Sequence, residues 1–343
     1  MKTNKIILSV LAAIFSLALI AGFAACKGKT GSSQFKYGKI DIPGKEGGLC
    51  GAPIFIAFEK GFFAEEGFDA TLITADTETR KISLNNGTIP VINGDFQFFP
   101  SIEEGVNVKV VDGLHKGCIK FAVRPDSDIK TAADFKGKKI GVDEMGGSPH
   151  QVASMWLEKA GISAKPENGE VQFLPFSDGN LELEALLSGA IDVAAMWDPF
   201  ASVAEKNGRV KVVFDLTTDP AFADHYCCFL YASSRVIKEN PGKVAALLRV
   251  YRKASDWITN NPKEAVDIIS DKKYSAIEDK ELAAELISHY QYPNVHQHGT
   301  PGFNIEDDVT YFATALYDIG YLKTPPDQFV KDAFYKVDLN LGK

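Results

Sequence analysis

The stretch KKIGVDEMGGSPHQVASMWLEKAG, residues 138–161, decides the predicted fold because it joins a strand to a helix through a glycine-rich turn. Its opening segment, KKIGVD (138–143), is typical of a β-strand. A helix is predicted to follow, with Ser148 as its N-cap, Pro149 in its first turn and Gly161 as its C-terminal stop. The stretch is therefore one βα unit.

The same unit repeats in the residues that follow. The predicted segments are, in order, the strand VQFLPF (171–176), a helix at 180–188, the strand IDVAAMW (191–197), a helix opened by Asp198 and Pro199, and the strand VKVVFD (210–215). Alternating strands and helices predict an α/β fold with largely parallel sheets. One lobe of this kind is expected to cover residues 125–224.

The flanking residues form a second predicted lobe, 36–124 plus 225–343, which the first lobe interrupts. Its first part holds the strand-like FKYGKIDI (35–42), a helix around PIFIAFEKGFF (53–63) and the strand FDATLITA (68–75). Its second part is rich in amphipathic helices. In residues 243–258, apolar side chains recur every three to four positions, which predicts one buried helix face.

The N-terminus has the layout of a signal peptide, with a short cationic start and a long apolar run that ends in small residues before Cys26. This resembles the bacterial lipobox, so residues 1–25 are expected to be removed and Cys26 to carry a lipid. Residues 26–35 would then tether an extracytoplasmic protein to the cell membrane. Phe23 departs from the aliphatic residue usual in that pattern, so an uncleaved helical anchor is the alternative.

Charge excludes one class of partner. The formal net charge is −8 over 343 residues, and loss of residues 1–25 removes Lys2 and Lys5 but no acidic residue, which makes it −10. Such a surface repels nucleic acid and anionic lipid headgroups. Nucleic acid is therefore not an expected partner.

Several segments together resemble a known family. The segment GAPIFIAFEKGFFAEEGFDATLI (51–73) looks like the opening of periplasmic-binding-protein type 2 receptors. Similar segments follow in the same order: DIKTAADFKGKKIGV (128–142), MGGSPHQ (145–151) and LLSGAIDVAAMWDPFASVAEKNG (186–208). The chain most resembles the nitrate/sulfonate/taurine/bicarbonate class of ABC-importer receptors, and it is also similar to thiamine-pyrimidine-precursor binding proteins.

The resemblance implies two lobes, each a mostly parallel sheet flanked by helices, joined by two crossover strands at a hinge. The crossovers would lie at about 117–124 and 226–232. The resemblance also implies a monomer that binds a small polar, anionic solute between the lobes and delivers it to an ABC permease and its ATPase. No cofactor and no enzymatic activity are expected.

A glycine-rich turn is the first candidate site. Met145, Gly146 and Gly147 lead into the predicted helix at Ser148, so backbone N–H groups and the helix dipole can bind an anion there. His150 is a candidate hydrogen-bond donor beside them. The alternatives are a plain tight turn with a serine cap, and a histidine that only makes local hydrogen bonds.

Other candidates follow strands at the predicted crevice. Trp197 ends a strand whose carboxyl end faces the crevice, where it either stacks on the solute or packs. Asp198 contacts the solute or caps the next helix, and Gln97 and Phe98 form a floor. The predicted ligand-binding residues are Cys50, Gln97, Phe98, Cys118, Met145, Gly146, Gly147, Ser148, His150, Trp197, Asp198 and Cys227.

The remaining cysteines, Cys50, Cys118, Cys227 and Cys228, are all expected to border the cleft or hinge. Adjacent residues of a strand point to opposite faces, so only one of the last two is expected to face the cleft. Three interpretations stay open: a disulfide between Cys118 and one of that pair, inert buried thiols, or contact with a soft metal or sulfur-containing solute.

Enzyme and metal motifs are scarce. The sequence contains no GxSxG, P-loop or HExxH motif and no GxGxxG after a strand, and its one HxH lies at His296 and His298. No metal site is predicted on this basis. The alternatives to an importer receptor are a metal- or cluster-binding lipoprotein rich in thiols, and a thiol hydrolase that uses Cys118 with His115 or His225. Cytosolic pyrimidine-precursor synthases share the fold class, but the export signal argues against them.

Overall fold

Ten strands form three sheets within the residues that the computed structural model describes, 35–44, 48–293 and 304–343. The strands are β1 (Gly38–Pro43), β2 (Phe68–Ile73), β3 (Val91–Asp95), β4 (Val108–His115), β5 (Ile119–Val123), β6 (Lys139–Val142), β7 (Gln172–Pro175), β8 (Val193–Trp197), β9 (Lys211–Asp215) and β10 (Cys228–Ser233). The predicted signal peptide, Cys26, nearly all of the tether and the HxH motif lie outside the described residues.

The sheets divide the chain into two parts. One part contains a five-stranded sheet with the order β7-β6-β8-β5-β9. The other part contains a three-stranded sheet with the order β3-β10-β4 and the pair β1–β2. The pairs β1–β2, β6–β7 and β6–β8 are parallel, as the βα repeats predict. However, β5 and β10 run antiparallel to their neighbours. These two strands enter their sheets directly from the other part of the chain, without a helical crossover that would restore the parallel direction.

Helices flank the sheets. They are α1 (Ala52–Glu59), α2 (Phe62–Glu65), α3 (Thr77–Asn86), α4 (Phe99–Glu103), α5 (Ser148–Lys159), α6 (Gly179–Leu187), α7 (Phe200–Lys206), α8 (Ser234–Glu239), α9 (Pro241–Asn260), α10 (Pro262–Asp271), α11 (Lys280–His289), α12 (Ile305–Asp318) and α13 (Pro326–Ala333). Short 3-10 turns occur at Leu49–Gly51, Phe96–Phe98, Ala132–Phe135 and Pro166–Asn168. In the described part of the chain, no helix has the length and apolar character needed to cross a membrane.

The buried face predicted for residues 243–258 is confirmed in α9. The apolar residues at helical spacing are all buried: Val244, Leu247, Leu248, Tyr251, Ala254 and Ile258. Burial of each large apolar side chain contributes about 1.5–3 kcal/mol relative to exposure. Helix α9 packs on α1, the first helix of the described residues, and both therefore belong to the same core.

Two predicted helix caps are wrong. Gly147 occupies the N-cap position of α5, and Ser148 is its first helical residue. Pro199 occupies the N-cap position of α7, so Asp198 lies outside the helix. The Ser148 hydroxyl bonds to Asp95 and Gln97, and Asp198 accepts from the hydroxyl of Ser202, so neither side chain bonds to an N–H group of its own helix.

Candidate functional site

A cavity of about 870 Å³ lies where strands of the two larger sheets end. The residues that line it include Asp95 at the end of β3, His115 at the end of β4 and Trp197 at the end of β8. The carboxyl edges of these strands therefore meet at one cleft, where ligands bind in open sheets of this type. Of the predicted site residues, Cys50, Gln97, Phe98, Trp197 and Asp198 line the cavity.

The predicted anion-binding turn lies outside the cavity lining. Met145 is 49% exposed and borders a separate surface depression with Val171 and Phe173. Neither Gly146 nor Gly147 contributes to the lining of the cavity. The N–H of Gly146 donates to His150 Nδ1 and the N–H of Gly147 donates to the Glu144 backbone oxygen, so both are engaged within the turn and its helix.

Ser148 joins the two parts of the molecule. Its backbone N–H donates to Gln97 Oε1 at 2.9 Å. Its hydroxyl lies 2.7 Å from Asp95 Oδ1 and 3.0 Å from Gln97 Oε1. The amide oxygen of Gln97 therefore occupies the position at the start of α5 that we predicted for an anion. Burial raises the pKa of Asp95 to about 7, although its hydrogen bonds from Ser148 and the Gln97 backbone oppose the rise.

His150 makes local hydrogen bonds. Its Nδ1 accepts from the Gly146 N–H at 2.9 Å and lies 2.7 Å from the Tyr321 hydroxyl. Burial lowers the pKa of His150 to about 4, so the ring is neutral at physiological pH. In this arrangement His150 fixes the turn before α5 and does not reach the cavity lining.

Trp197 and Asp198 sit in the cavity wall. The indole N–H of Trp197 donates to Asp143 Oδ2 at 2.9 Å, which orients the ring beside the cavity. Asp198 is buried, accepts a hydrogen bond from Ser202 at 2.5 Å and lies 3.4 Å from Lys120 Nζ. Burial raises the pKa of Asp198 to about 6, against the opposing charge of Lys120. Its ion pair with Lys120 therefore explains this carboxylate without a ligand.

Arg80 is a lining residue that the sequence did not reveal. It projects from α3, and its guanidinium donates to the backbone oxygen and to Oδ1 of Asn93 at 2.6 and 2.7 Å. Among the described residues it forms no ion pair with a carboxylate within 4 Å. Because Arg80 lines the cavity, its guanidinium is a candidate to bind an anion in the cleft.

The cysteines and one histidine converge beside the cavity, in what we name the thiol–imidazole cluster: Cys50, His115, Cys118, Cys227 and Cys228. One ligand atom from each of His115, Cys118, Cys227 and Cys228 lies within 4.8 Å of the others. Cys50 contacts the same group and is half-buried. Cys50, His115 and Cys228 line the cavity, whereas Cys118 and Cys227 lie behind them. The sequence analysis expected all four cysteines at the cleft or hinge, but its list of ligand-binding residues left out His115 and Cys228.

All four thiols of the cluster are free, so the disulfide interpretation does not hold in this structure. The sulfurs of Cys227 and Cys228 lie 3.7 Å apart, whereas a disulfide bond is about 2.05 Å long. The prediction that these adjacent residues point to opposite faces is wrong, although only Cys228 of the two lines the cavity, as expected. Strand β10 begins only at Cys228, so the alternation of a strand does not extend to Cys227.

The ionisable groups of the thiol–imidazole cluster shift one another's pKa values in opposite directions. Hydrogen bonds from Cys118 and Cys228 hold the pKa of Cys50 well below its usual range. Burial alone would lower the pKa of His115, but the negative charge of Cys50 raises it to about 9. Burial raises the pKa of Cys118. The predicted hydrolase pairs lose support, because a neutral Cys118 is a poor nucleophile and His225 pairs with Asp308 at 2.9 Å.

Comparisons with known proteins agree with this architecture. The sequence profile of the family described as NMT1/THI5-like matches residues 51–265. A Brucella abortus protein provisionally described as a binding protein is 27% identical over 239 residues, which are 67% of this chain and 69% of that protein. A Bacillus subtilis protein provisionally described as an aliphatic sulfonates-binding protein is 26% identical over 273 residues, 76% of this chain and 77% of its own.

The fold comparison includes solved structures. The periplasmic nitrate-binding protein of Synechocystis PCC 6803 superposes with a TM-score of 0.67 at 17% identity, over 88% of this chain and 86% of that one. The periplasmic aliphatic sulphonate binding protein of Escherichia coli superposes with a TM-score of 0.65 at 17% identity, over 88% and 92% of the two chains. The predicted two-lobed fold of periplasmic-binding-protein type 2 is thereby confirmed.

Proposed function

Because this chain belongs to the NMT1/THI5-like family, we propose that it is the extracytoplasmic solute-binding subunit of an ABC importer. In this proposal, the lobe formed by residues 36–124 plus 225–343 and the lobe formed by 125–224 close over a solute. The closed protein delivers the solute to a membrane permease and its ATPase. A lipid on Cys26 holds it at the cell membrane as a monomer.

One observation carries the proposal: the cavity of about 870 Å³ opens between the carboxyl ends of strands from both parts of the molecule. That volume lies in the range of small-molecule sites, about 300–1,000 Å³. Residues from both sheets line it, so closure of the lobes would bury a solute on two sides. The cavity thus has the position and size that a solute-capturing protein requires.

Arg80 supports an anionic solute. Sulfonate, nitrate and bicarbonate all carry planar or tripodal oxygen groups that a guanidinium can bind with two hydrogen bonds. The lining also contains Trp197, which offers an aromatic face, and the amide side chain of Asn93. The Bacillus subtilis relative is described as an aliphatic sulfonates-binding protein and the Synechocystis structural neighbour as a nitrate-binding protein, and both solutes fit the same chemistry. We therefore propose a small oxyanion or sulfonate as the solute.

Thermal unfolding with a solute panel tests the proposal. Ethanesulfonate, nitrate, bicarbonate and a formylaminopyrimidine are each added to the purified chain, and mass spectrometry identifies what co-purifies. We expect one anion of the panel to raise the unfolding temperature. Arg80→Gln should lower the affinity for that anion by about 10- to 150-fold, because a hydrogen bond to a charged group contributes about 1.5–3 kcal/mol.

Arg235→Gln is the matched control. It removes one positive charge from the neighbouring helix α8, where Arg235 bonds Glu239 on the surface at 2.9 Å and does not line the cavity. Equal loss of affinity in both variants would assign the effect to net charge instead of to Arg80. If no panel member stabilises the chain and no small molecule co-purifies, the receptor proposal fails. The anchor is tested separately by incorporation of labelled lipid into the chain and into Cys26→Ala.

A further inference from the structure

We propose that His115, Cys118, Cys227 and Cys228 bind one thiophilic metal ion of the zinc(II) or copper(I) class beside the cleft, with Cys50 at the mouth of the site. This inference goes beyond the importer function and does not depend on it. The cluster belongs to the cavity wall, but thiols are not the groups that bind an oxyanion. The residues therefore need an explanation of their own.

Distances among the ligand atoms fit one ion. In a tetrahedral zinc site, Zn–S bonds of about 2.3 Å place two sulfur ligands about 3.8 Å apart. The sulfurs of Cys227 and Cys228 are 3.7 Å apart. All four ligand atoms lie within 4.8 Å of one another, so small side-chain movements would bring each of them to bonding distance from a common centre. Three thiolates and one imidazole form a complete tetrahedral set.

His115 is oriented as a metal ligand. Its Nδ1 lies 3.2 Å from the backbone oxygen of Lys116, where a protonated Nδ1 would donate. With that hydrogen bond in place, the proton that a metal ion displaces is the one on Nε2, and Nε2 has no hydrogen-bond partner among the described residues. The ring stacks on Tyr290 with centroids 4.7 Å apart, which fixes its plane. Metal-binding histidines are held by such an outer hydrogen bond from the second nitrogen.

Burial argues against a chance grouping of inert thiols. Cys118, Cys227, Cys228 and His115 are each at most 4% exposed, yet Nε2 of His115 lacks a partner. A buried imidazole nitrogen without a hydrogen bond is destabilising by about 1–3 kcal/mol. Cys118 also has a backbone φ of 108°, a conformation that residues other than glycine avoid. A bound ion would satisfy the nitrogen and would account for a thiol at this strained position.

The ligand types restrict the ion. Thiolate and imidazole ligands favour zinc(II) and copper(I), whereas magnesium and calcium prefer oxygen ligands. The nearby carboxylate of Asp95 already accepts hydrogen bonds from Ser148 and the Gln97 backbone. Because Cys50, His115 and Cys228 line the cavity, an ion can enter from the cleft. The site is therefore both chemically selective and accessible.

Metal titration of the full chain, reduced, stripped with chelator and kept anaerobic, tests the inference. Zinc(II) and copper(I) are added separately in competition with chromophoric chelators, and cobalt(II) serves as a spectroscopic probe of thiolate ligation. We expect one equivalent of zinc(II) or copper(I), a thiolate-to-cobalt charge-transfer band, and protection of the cysteines from iodoacetamide. His115→Ala and Cys227→Ser should each weaken binding by more than the 10- to 100-fold typical of outer-shell changes.

Two variants keep the test decisive. Cys118→Gly removes a thiol at a backbone conformation that glycine adopts readily, so it should fold and still lose the ion. His289→Ala, at the end of α11 and outside the cluster, should bind as the unmodified chain does. Failure of both ions to bind or to protect the thiols of the unmodified chain would overturn the proposal. Equal affinity in Cys118→Gly, His115→Ala and His289→Ala would also overturn it.

Discussion

Substitution of Ser148 by alanine tests whether contact between the lobes is controlled at the start of α5. Ser148 belongs to the part of the chain that contains the five-stranded sheet, whereas Asp95 and Gln97 follow β3 of the three-stranded sheet. Its hydroxyl carries one proton, which the acceptors Asp95 Oδ1 at 2.7 Å and Gln97 Oε1 at 3.0 Å must share. Ser148→Ala therefore removes one hydrogen bond, while the backbone bond from residue 148 to Gln97 remains.

The size of the effect follows from that count. At pH 8, above the raised pKa of Asp95 of about 7, the carboxylate is ionised. A hydrogen bond to a charged group contributes about 1.5–3 kcal/mol, so at that pH the equilibrium between joined and separated lobes should shift by about 10- to 150-fold. Lys206 and Asp279 also lie 2.5 Å apart between the two parts, but both are solvent-exposed in part. Pairs of that kind contribute only about 0.2–1 kcal/mol. The Tyr321 hydroxyl, 2.7 Å from His150 Nδ1, is a further contact between the two parts and remains in the variant. Ser148→Ala should therefore weaken the contact between the lobes without abolishing it.

Small-angle X-ray scattering of the chain without added solute measures the outcome. Ser148→Ala should increase the radius of gyration, while circular dichroism stays unchanged. Ser154→Ala is the matched control, because Ser154 is buried in the same helix and its hydroxyl donates to the His150 backbone oxygen within that helix, at 2.8 Å. The reasoning is refuted if both variants keep the original radius of gyration and lose the same amount of thermal stability.

Two further predictions concern stability. Glu182 is 2% exposed. Burial, together with the negative charge of Asp143, raises the pKa of Glu182 to about 8. The folded protein therefore keeps a proton on Glu182 at pH values where the unfolded chain, with a pKa near 4.5, has released it. The free energy of unfolding should therefore fall by up to about 5 kcal/mol as the pH rises from about 4.5 to 8. Urea unfolding at pH 5 and pH 8 measures this, and Glu182→Gln should reduce the difference between the two pH values. An equal difference in both proteins would contradict the prediction. Gly117→Ala should destabilise the chain by more than about 1–3 kcal/mol, because φ is 72° and the new Cβ would lie 1.9 Å from Thr217 Cγ2. Thr217→Ser removes that methyl group and should restore part of the lost unfolding temperature, so a double variant no more stable than Gly117→Ala would count against the clash.

The sequence predicts the order of strands and helices well because each βα unit carries its own local signals. Strand KKIGVD became β6, and the helix predicted from Ser148 became α5, with bounds within two residues. These signals depend on neighbours a few positions apart. The direction of β5 and β10 carries no such signal, because it follows from the path of the chain between the two parts of the molecule.

The site was less predictable because its contacts join distant positions. Arg80 lies on the polar helix TETRKISLNN, where an arginine reads as a solvated residue until Asn93 is seen to orient it. Ser148 was expected to cap its own helix, but its partners lie 51 and 53 residues earlier in the chain. His115 lies three positions before Cys118, but the other two proposed ligands, Cys227 and Cys228, lie more than 100 positions later in the chain. The local sequence therefore shows at most half of that group.

Both connections between the lobes contribute to the thiol–imidazole cluster, which has a thermodynamic consequence. His115 and Cys118 flank the passage from β4 to β5, and Cys227 and Cys228 lie where the chain returns into β10. An ion held by all four would join the two passages and restrict how the lobes rotate about them. By thermodynamic linkage, if the bound ion changes the affinity for the solute by some factor, the bound solute changes the affinity for the ion by the same factor. Measuring the affinity for each in the presence and absence of the other would therefore show whether the cluster acts on the hinge, since an ion that binds without coupling leaves both constants unchanged.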